Sequence, residues 1–84
     1  MTRITNRAFI VTLIDSLIGC RAIISYTNTN HPELPTIIDT VVEGDEIDGL
    51  TDYDVLYLGS VVVIRGTRNS FTGGVDIITF TIIR

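Results

Sequence analysis

The sequence predicts an all-β domain: a small, strongly bent five-stranded barrel with a short helix at its N-terminal end. Three observations carry that reading. Ile, Val and Thr supply 34 of the 84 residues, and β-branched side chains favour strands and disfavour long helices. Short apolar runs recur along the chain, separated by stretches rich in Gly, Asn, Thr and Pro. Gly44 and Gly59 fall inside strand-like stretches, where a small closing sheet needs sharp bends.

The elements follow in order. In NRAFIVTLIDSLI (6–18), Ile10, Leu13, Ile14, Leu17 and Ile18 recur at helical spacing. Asn6 is placed to cap the start and Gly19 to stop it. The β-branched trio Ile10, Val11 and Thr12 keeps a strand over 8–14 open as the alternative. CRAIISYT (20–27) reads as a strand, and TNTNHPELP (27–35) as a loop, since Asn and two prolines supply turn chemistry. TIIDTVVEG (36–44) is the next strand, and DEIDGLTD (45–52) an acidic loop. YDVLYLGSVVVIRG (53–66) is one long strand bent at Gly59, or two strands meeting there. TRNSFTGG (67–74) reads as a turn, and 76–84 as a terminal strand. A sheet of this size hides its edges by closing on itself, so a five-stranded SH3-like or OB-like barrel is the economical architecture. The run 77–83 carries no charge and is expected to form a sticky edge that pairs with another chain.

The length corresponds to one domain, residues 1–84. No stretch approaches the roughly 20 apolar residues of a membrane span, and the N-terminus lacks the pattern of a signal peptide. Cys20 is the only cysteine, which fits an intracellular, reducing compartment and rules out a Cys-rich zinc site. Net charge is −4 and unevenly distributed. Residues 31–54 hold eight acids and no Arg or Lys, whereas each flank holds three Arg and one Asp. The acidic segment is a solvated loop, or else a face that meets arginines of a neighbouring subunit. All six basic residues are Arg.

Catalysis finds little support. The carboxylates at 45, 46, 48, 52 and 54 cluster, but no nucleophile stands at a telling distance from a base, and the single histidine, His31, precedes Pro32 in a loop. The reading is therefore not an enzyme and no cofactor. DEIDGLTDYD does not match the oxygen and glycine positions of a calcium loop. TGGV (72–75) is a hairpin turn rather than a phosphate cradle.

There remains SVVVIRGTRNSF (60–71), an apolar run that meets Arg65, Gly66, Arg68 and Asn69. This segment is a tight turn with exposed arginines, or a local pocket in which glycine admits a close approach and arginine stacks on a base or forks onto a phosphate. Tyr53 offers a stacking face. The acidic total excludes generic, charge-driven nucleic-acid binding.

Two stretches together resemble the Sm-like (LSm) family of RNA-associated proteins. SLIGCRAIISY (16–26) is similar to the family's junction between N-terminal helix and first strand, and VVVIRGTRNSF (61–71) to its second motif, an apolar strand ending in Ile/Leu-Arg-Gly. VVEGDEID (41–48) is a looser echo of the glycine in the first motif. The resemblance implies an oligomeric ring built by pairing strand edges, with Arg65 and Gly66 at a central pore in contact with single-stranded RNA. Where the family's first motif ends in a base-holding Asn, this chain offers Asp52 and Asp54. The implied function is an RNA-binding or ribonucleoprotein scaffold subunit, contacting RNA through Arg65, Gly66, Arg68, Asn69, Tyr53 and Asp54. The alternative is a structural or protein-interaction small-barrel module of a viral or multiprotein assembly, without nucleic acid, using the 43–54 segment and the 77–83 edge as contact surfaces.

Overall fold

A computed structural model describes residues 2–84, with side chains described from Thr5 onward. Its elements are β1 (Thr2–Ile4), α1 (Arg7–Leu17), β2 (Arg21–Asn28), β3 (His31–Val41), α2 (Asp45–Asp48), β4 (Asp52–Tyr57), β5 (Val61–Asn69) and β6 (Val75–Ile83). The six strands form one antiparallel sheet in the order β1-β4-β5-β6-β2-β3. The architecture is therefore mostly β with one short helix beside a single turn of a second. The sheet does not close: β1 lies at one edge and β3 at the other.

The helix forms where the spacing predicts it. The Asn6 side-chain oxygen accepts from the Phe9 N–H at 3.0 Å, which satisfies one of the free donors of the first turn. Leu13, Ile14 and Leu17 are buried together and place α1 on one face of the sheet. That settles residues 8–14 as helix. The β-branched residues Val11 and Thr12 lie on its exposed side, where the Thr12 hydroxyl donates back to the Ala8 carbonyl.

Strand parity defines two faces. Ala22 and Ile24 of β2, Val62 and Ile64 of β5, Ile78, Phe80 and Ile82 of β6 and Val55 of β4 are buried in one cluster with the helix. Register puts Ile64, Phe80 and Ile24 side by side across the three central strands. The passage from β3 to β4 runs from one edge of the sheet to the far half, burying Val42, Ile47 and Leu50 on the way.

The remaining residues of the central strands form an outer face. Arg65, Thr79, Ser25 and Ile37 make one row across it, and Val63, Thr81, Ile23 and Asp39 the next. Four of its apolar members stay in solvent, Ile37 at 69% exposed, Val41 50%, Ile83 41% and Ile23 37%, whereas Val63 is half-buried.

Several expectations are corrected. The architecture is an open six-stranded sheet rather than a closed five-stranded barrel, because residues 2–4 add a strand beside β4 and nothing joins β1 to β3. The predicted loop 27–35 shrinks to a turn at Thr29 and Asn30, and β3 runs from His31 through both prolines. An edge strand tolerates proline because an N–H facing away from the ladder has no partner to lose. The acidic stretch 45–52 contains a helical turn, α2, and the Glu46 carboxylate accepts from the backbone N–H of Glu43 at 2.8 Å. Gly44 and Gly59 lie in connections, not mid-strand; Gly59, at φ +80°, shapes the tight turn from β4 to β5. The turn predicted at 67–74 begins only after Asn69. The 77–83 run is not an edge: β6 pairs with β5 on one side and β2 on the other.

No described helix is long and apolar enough to cross a membrane. Cys20 is a free thiol.

Candidate functional site

Gly66 sits inside β5, directly opposite Tyr53 of β4, so the strand does not stop at Arg65-Gly66. Close approach explains the glycine. A Cβ at position 66 would lie 2.6 Å from the Asp52 carbonyl oxygen, 2.8 Å from Leu50 Cδ1 and 2.8 Å from Tyr53 Cβ. The chain entering β4 folds down onto β5 there, and the Thr51 N–H donates to the Thr67 carbonyl at 2.8 Å. Only a residue without a side chain admits that crossing.

The crossing leaves two adjoining hollows. The smaller, about 240 Å³, is lined by Asp52, Tyr53, Asp54, Arg65, Gly66 and Thr67. The larger, about 400 Å³, shares Asp52, Tyr53 and Asp54 and extends past Leu50 and Asp48 to Arg7 and Ile10 of α1. Four of the six site residues predicted from sequence therefore meet: Tyr53, Asp54, Arg65 and Gly66. Asp54 faces Arg65 across the ladder. Arg65 is exposed, and its guanidinium makes no hydrogen bond or ion pair with another described residue. Tyr53 packs half-buried against the core, with its Cβ beside Gly66.

Arg68 and Asn69 belong elsewhere. Arg68 is three residues from Arg65 on a strand, so the two side chains leave opposite faces of the sheet. Arg68 is held by Asp76, Nη2 to Oδ2 at 3.5 Å, and its guanidinium lies 5.8 Å from the centre of the Tyr26 ring. Asp76 also accepts from Asn28 Nδ2 at 3.0 Å. Asn69 pairs with Val75 at the end of the β5–β6 ladder. Neither Arg68 nor Asn69 lines the hollow beside Arg65. Arg7 is a lining residue that the sequence did not single out; it shares the larger hollow with Asp48 and Asp52 of the acidic segment, and no local pattern links position 7 to them.

Among the described residues the groove holds Arg7 and Arg65 against Asp48, Asp52 and Asp54. Among the described residues no three His, Cys, Asp or Glu side chains converge to hold a metal. His31 lies on β3, 4.0 Å from Glu33, with both side chains exposed.

The second candidate surface is the outer face and the edge it reaches. β3 is hydrogen-bonded to β2 on one side only. It carries Leu34, Ile37, Ile38 and Val41 exposed to solvent. Its one acid between 36 and 41, Asp39, accepts two bonds from Arg21 of β2, at 2.7 Å from Nη2 and 3.2 Å from Nε. That bidentate contact holds the Asp39 carboxyl below its usual range and raises Arg21 further. Since the carboxyl titrates lower in the folded chain, the pair's contribution is present at neutral pH and fades as pH falls through the folded-state value.

The fold and its surfaces thus define a small, open, antiparallel sheet protein with a polar groove at one crossing and an apolar face ending in a bare strand. No family model matches the chain, and no curated protein or solved structure matches it either.

Proposed function

We propose that this chain is a protein-interaction module, a structural subunit of a multi-chain assembly that works without nucleic acid. The observation that carries the reading is the outer face of the sheet, where exposed Ile23, Ile37, Val41 and Ile83 run up to the unpaired edge of β3. Monomeric proteins protect long edges with charges, prolines or bulges and seldom leave a contiguous apolar patch in water. The contact surface differs from the 77–83 strand that the sequence suggests, because that strand is interior. The polarised sequence suits the same reading: an acidic segment, residues 31–54, lies between two flanks that each carry more Arg than acid, a pattern that lets one chain complement another.

An RNA-binding subunit of an Sm-like ring is the second reading, favoured by one observation. Tyr53, Arg65 and Gly66 line a single hollow, as a stacking face, a cation and a close-approach glycine. Against it stands the separation of Arg65 from Arg68, which is held by Asp76.

Titrating labelled single-stranded U-rich and A-rich RNA with wild type and Arg65→Ala at low salt separates the two. The expected result is no specific binding by either protein. Arg65 is exposed, so its replacement changes stability by no more than about 0.5 kcal/mol. Clear binding by wild type that weakens about tenfold in Arg65→Ala, a loss of ~1.4 kcal/mol, would overturn the interaction reading in favour of RNA.

A further inference from the structure

The phase of the β2–β3 ladder decides which backbone groups of β3 are unused. Val42 donates its N–H to the Cys20 carbonyl at 2.9 Å, and its own carbonyl accepts from Gly19 at 2.8 Å. Both polar groups of Val42 therefore point toward β2. An antiparallel ladder alternates residue by residue. With Thr40 opposite Ala22, Ile38 opposite Ile24 and Thr36 opposite Tyr26, those three also turn their N–H and C=O toward β2. Ile37, Asp39 and Val41 turn theirs toward the open side.

That open side is protected chiefly over its first half. Pro32 and Pro35 remove donors only from the first half of β3, leaving 36–41 intact. The single charge there, Asp39, is matched by Arg21 on its own chain. The other edge of the sheet, β1, is only three residues long.

From these observations we infer that the chain forms a two-fold dimer with a second copy of itself, by antiparallel pairing of residues 36–41 of β3, which joins the two sheets into one. The inference rests on the interaction reading above and names its partner. A second copy fits for three reasons. A two-fold axis normal to the sheet brings an edge against itself antiparallel, so the free N–H and C=O groups of Ile37, Asp39 and Val41 meet an identical set. The same axis keeps both outer faces on one side, so the exposed Ile37 and Val41 of each copy lie along those of the other. With Asp39 already held by Arg21, the seam carries no unmatched charge, whereas a charged foreign strand would find no complement there.

The test is the molar mass of the full chain by light scattering over a concentration series, for wild type, Ile37→Pro and Ile37→Glu. Proline at 37 removes a donor that faces the open side and none that β2 uses. Glutamate at 37 leaves the backbone intact and brings a carboxylate against or beside the second copy's Asp39. Wild type is expected to rise from the 9.3 kDa of one chain toward twice that value. Both variants are expected to stay at one chain, with the circular dichroism of wild type. A wild type that stays at one chain at every concentration overturns the proposal. So does a doubled mass that persists in Ile37→Glu, which would place the contact elsewhere on the surface. Neither result bears on the RNA titration, so loss of the dimer and loss of the interaction reading are told apart.

Discussion

Gly66→Ala is expected to destabilise the fold by about 1–3 kcal/mol, although a glycine inside a strand ordinarily gains from replacement. The normal gain is cancelled by geometry: the new methyl group would stand 2.6 Å from the Asp52 carbonyl oxygen. That oxygen belongs to the backbone and cannot rotate away. Leu50 Cδ1 and Tyr53 Cβ, each at 2.8 Å, close the other directions. The chain entering β4 has to lift from β5, at the expense of the Thr51 to Thr67 bond. Each kcal/mol lost lowers Tm by roughly 4–8 °C in a domain of this size, so thermal unfolding followed by circular dichroism resolves the effect. An unchanged Tm would mean that the crossing does not press on Gly66, and the account of the groove would go with it.

Phe80→Ala is expected to cost more, about 3–5 kcal/mol. Phe80 is fully buried, and its neighbours across the ladder are Ile64 on one side and Ile24 on the other. Removing the ring leaves a cavity in the middle of the buried cluster. Domains of this kind have total stabilities of ~5–15 kcal/mol, and a chain this short belongs near the lower end. A large part of the population should therefore be unfolded in mild urea. Thr79→Ala is the comparison, since Thr79 faces outward in the next position and should shift the urea midpoint little. Equal shifts for the two would mean that the faces of β6 have been assigned the wrong way round.

The contrast between those neighbours shows why some features are legible in the sequence and others are not. The helix was legible because its signal is local: a capping Asn6 and apolar residues three and four apart. The main strands were legible from composition. Their order was not, because β6 has Ile77, Thr79, Thr81 and Ile83 on one face and Ile78, Phe80 and Ile82 on the other. With β-branched side chains on both sides, period-two alternation does not reveal which face is buried or whether the strand is central. The prolines hid β3, since Pro32 and Pro35 read as loop residues unless the strand is known to lie at an edge. At the site, Tyr53, Asp54, Arg65 and Gly66 were found by residue type. The reason for Gly66 lies in Leu50 and Asp52, too far away in sequence to leave a pattern. Arg65 and Arg68 looked like a pair when 67–74 was read as a turn; a strand continuing to Asn69 sends them apart.

The central position of β6 also governs how the protein is made. The β2–β3 and β4–β5 hairpins leave the ribosome before β6, and neither pairs with the other in the finished sheet. Residues 75–83 are the piece that joins them, pairing Ala22 with Ile82 and Val62 with Ile82 in the same register line. Until that strand is translated, two apolar hairpins are tethered together with no shared core. Their union waits on a loop closure spanning most of the chain, the kind of distant pairing that slows folding. Synthesis therefore passes through an interval in which the nascent chain is exposed to misassembly, and the arrival of β6 ends it.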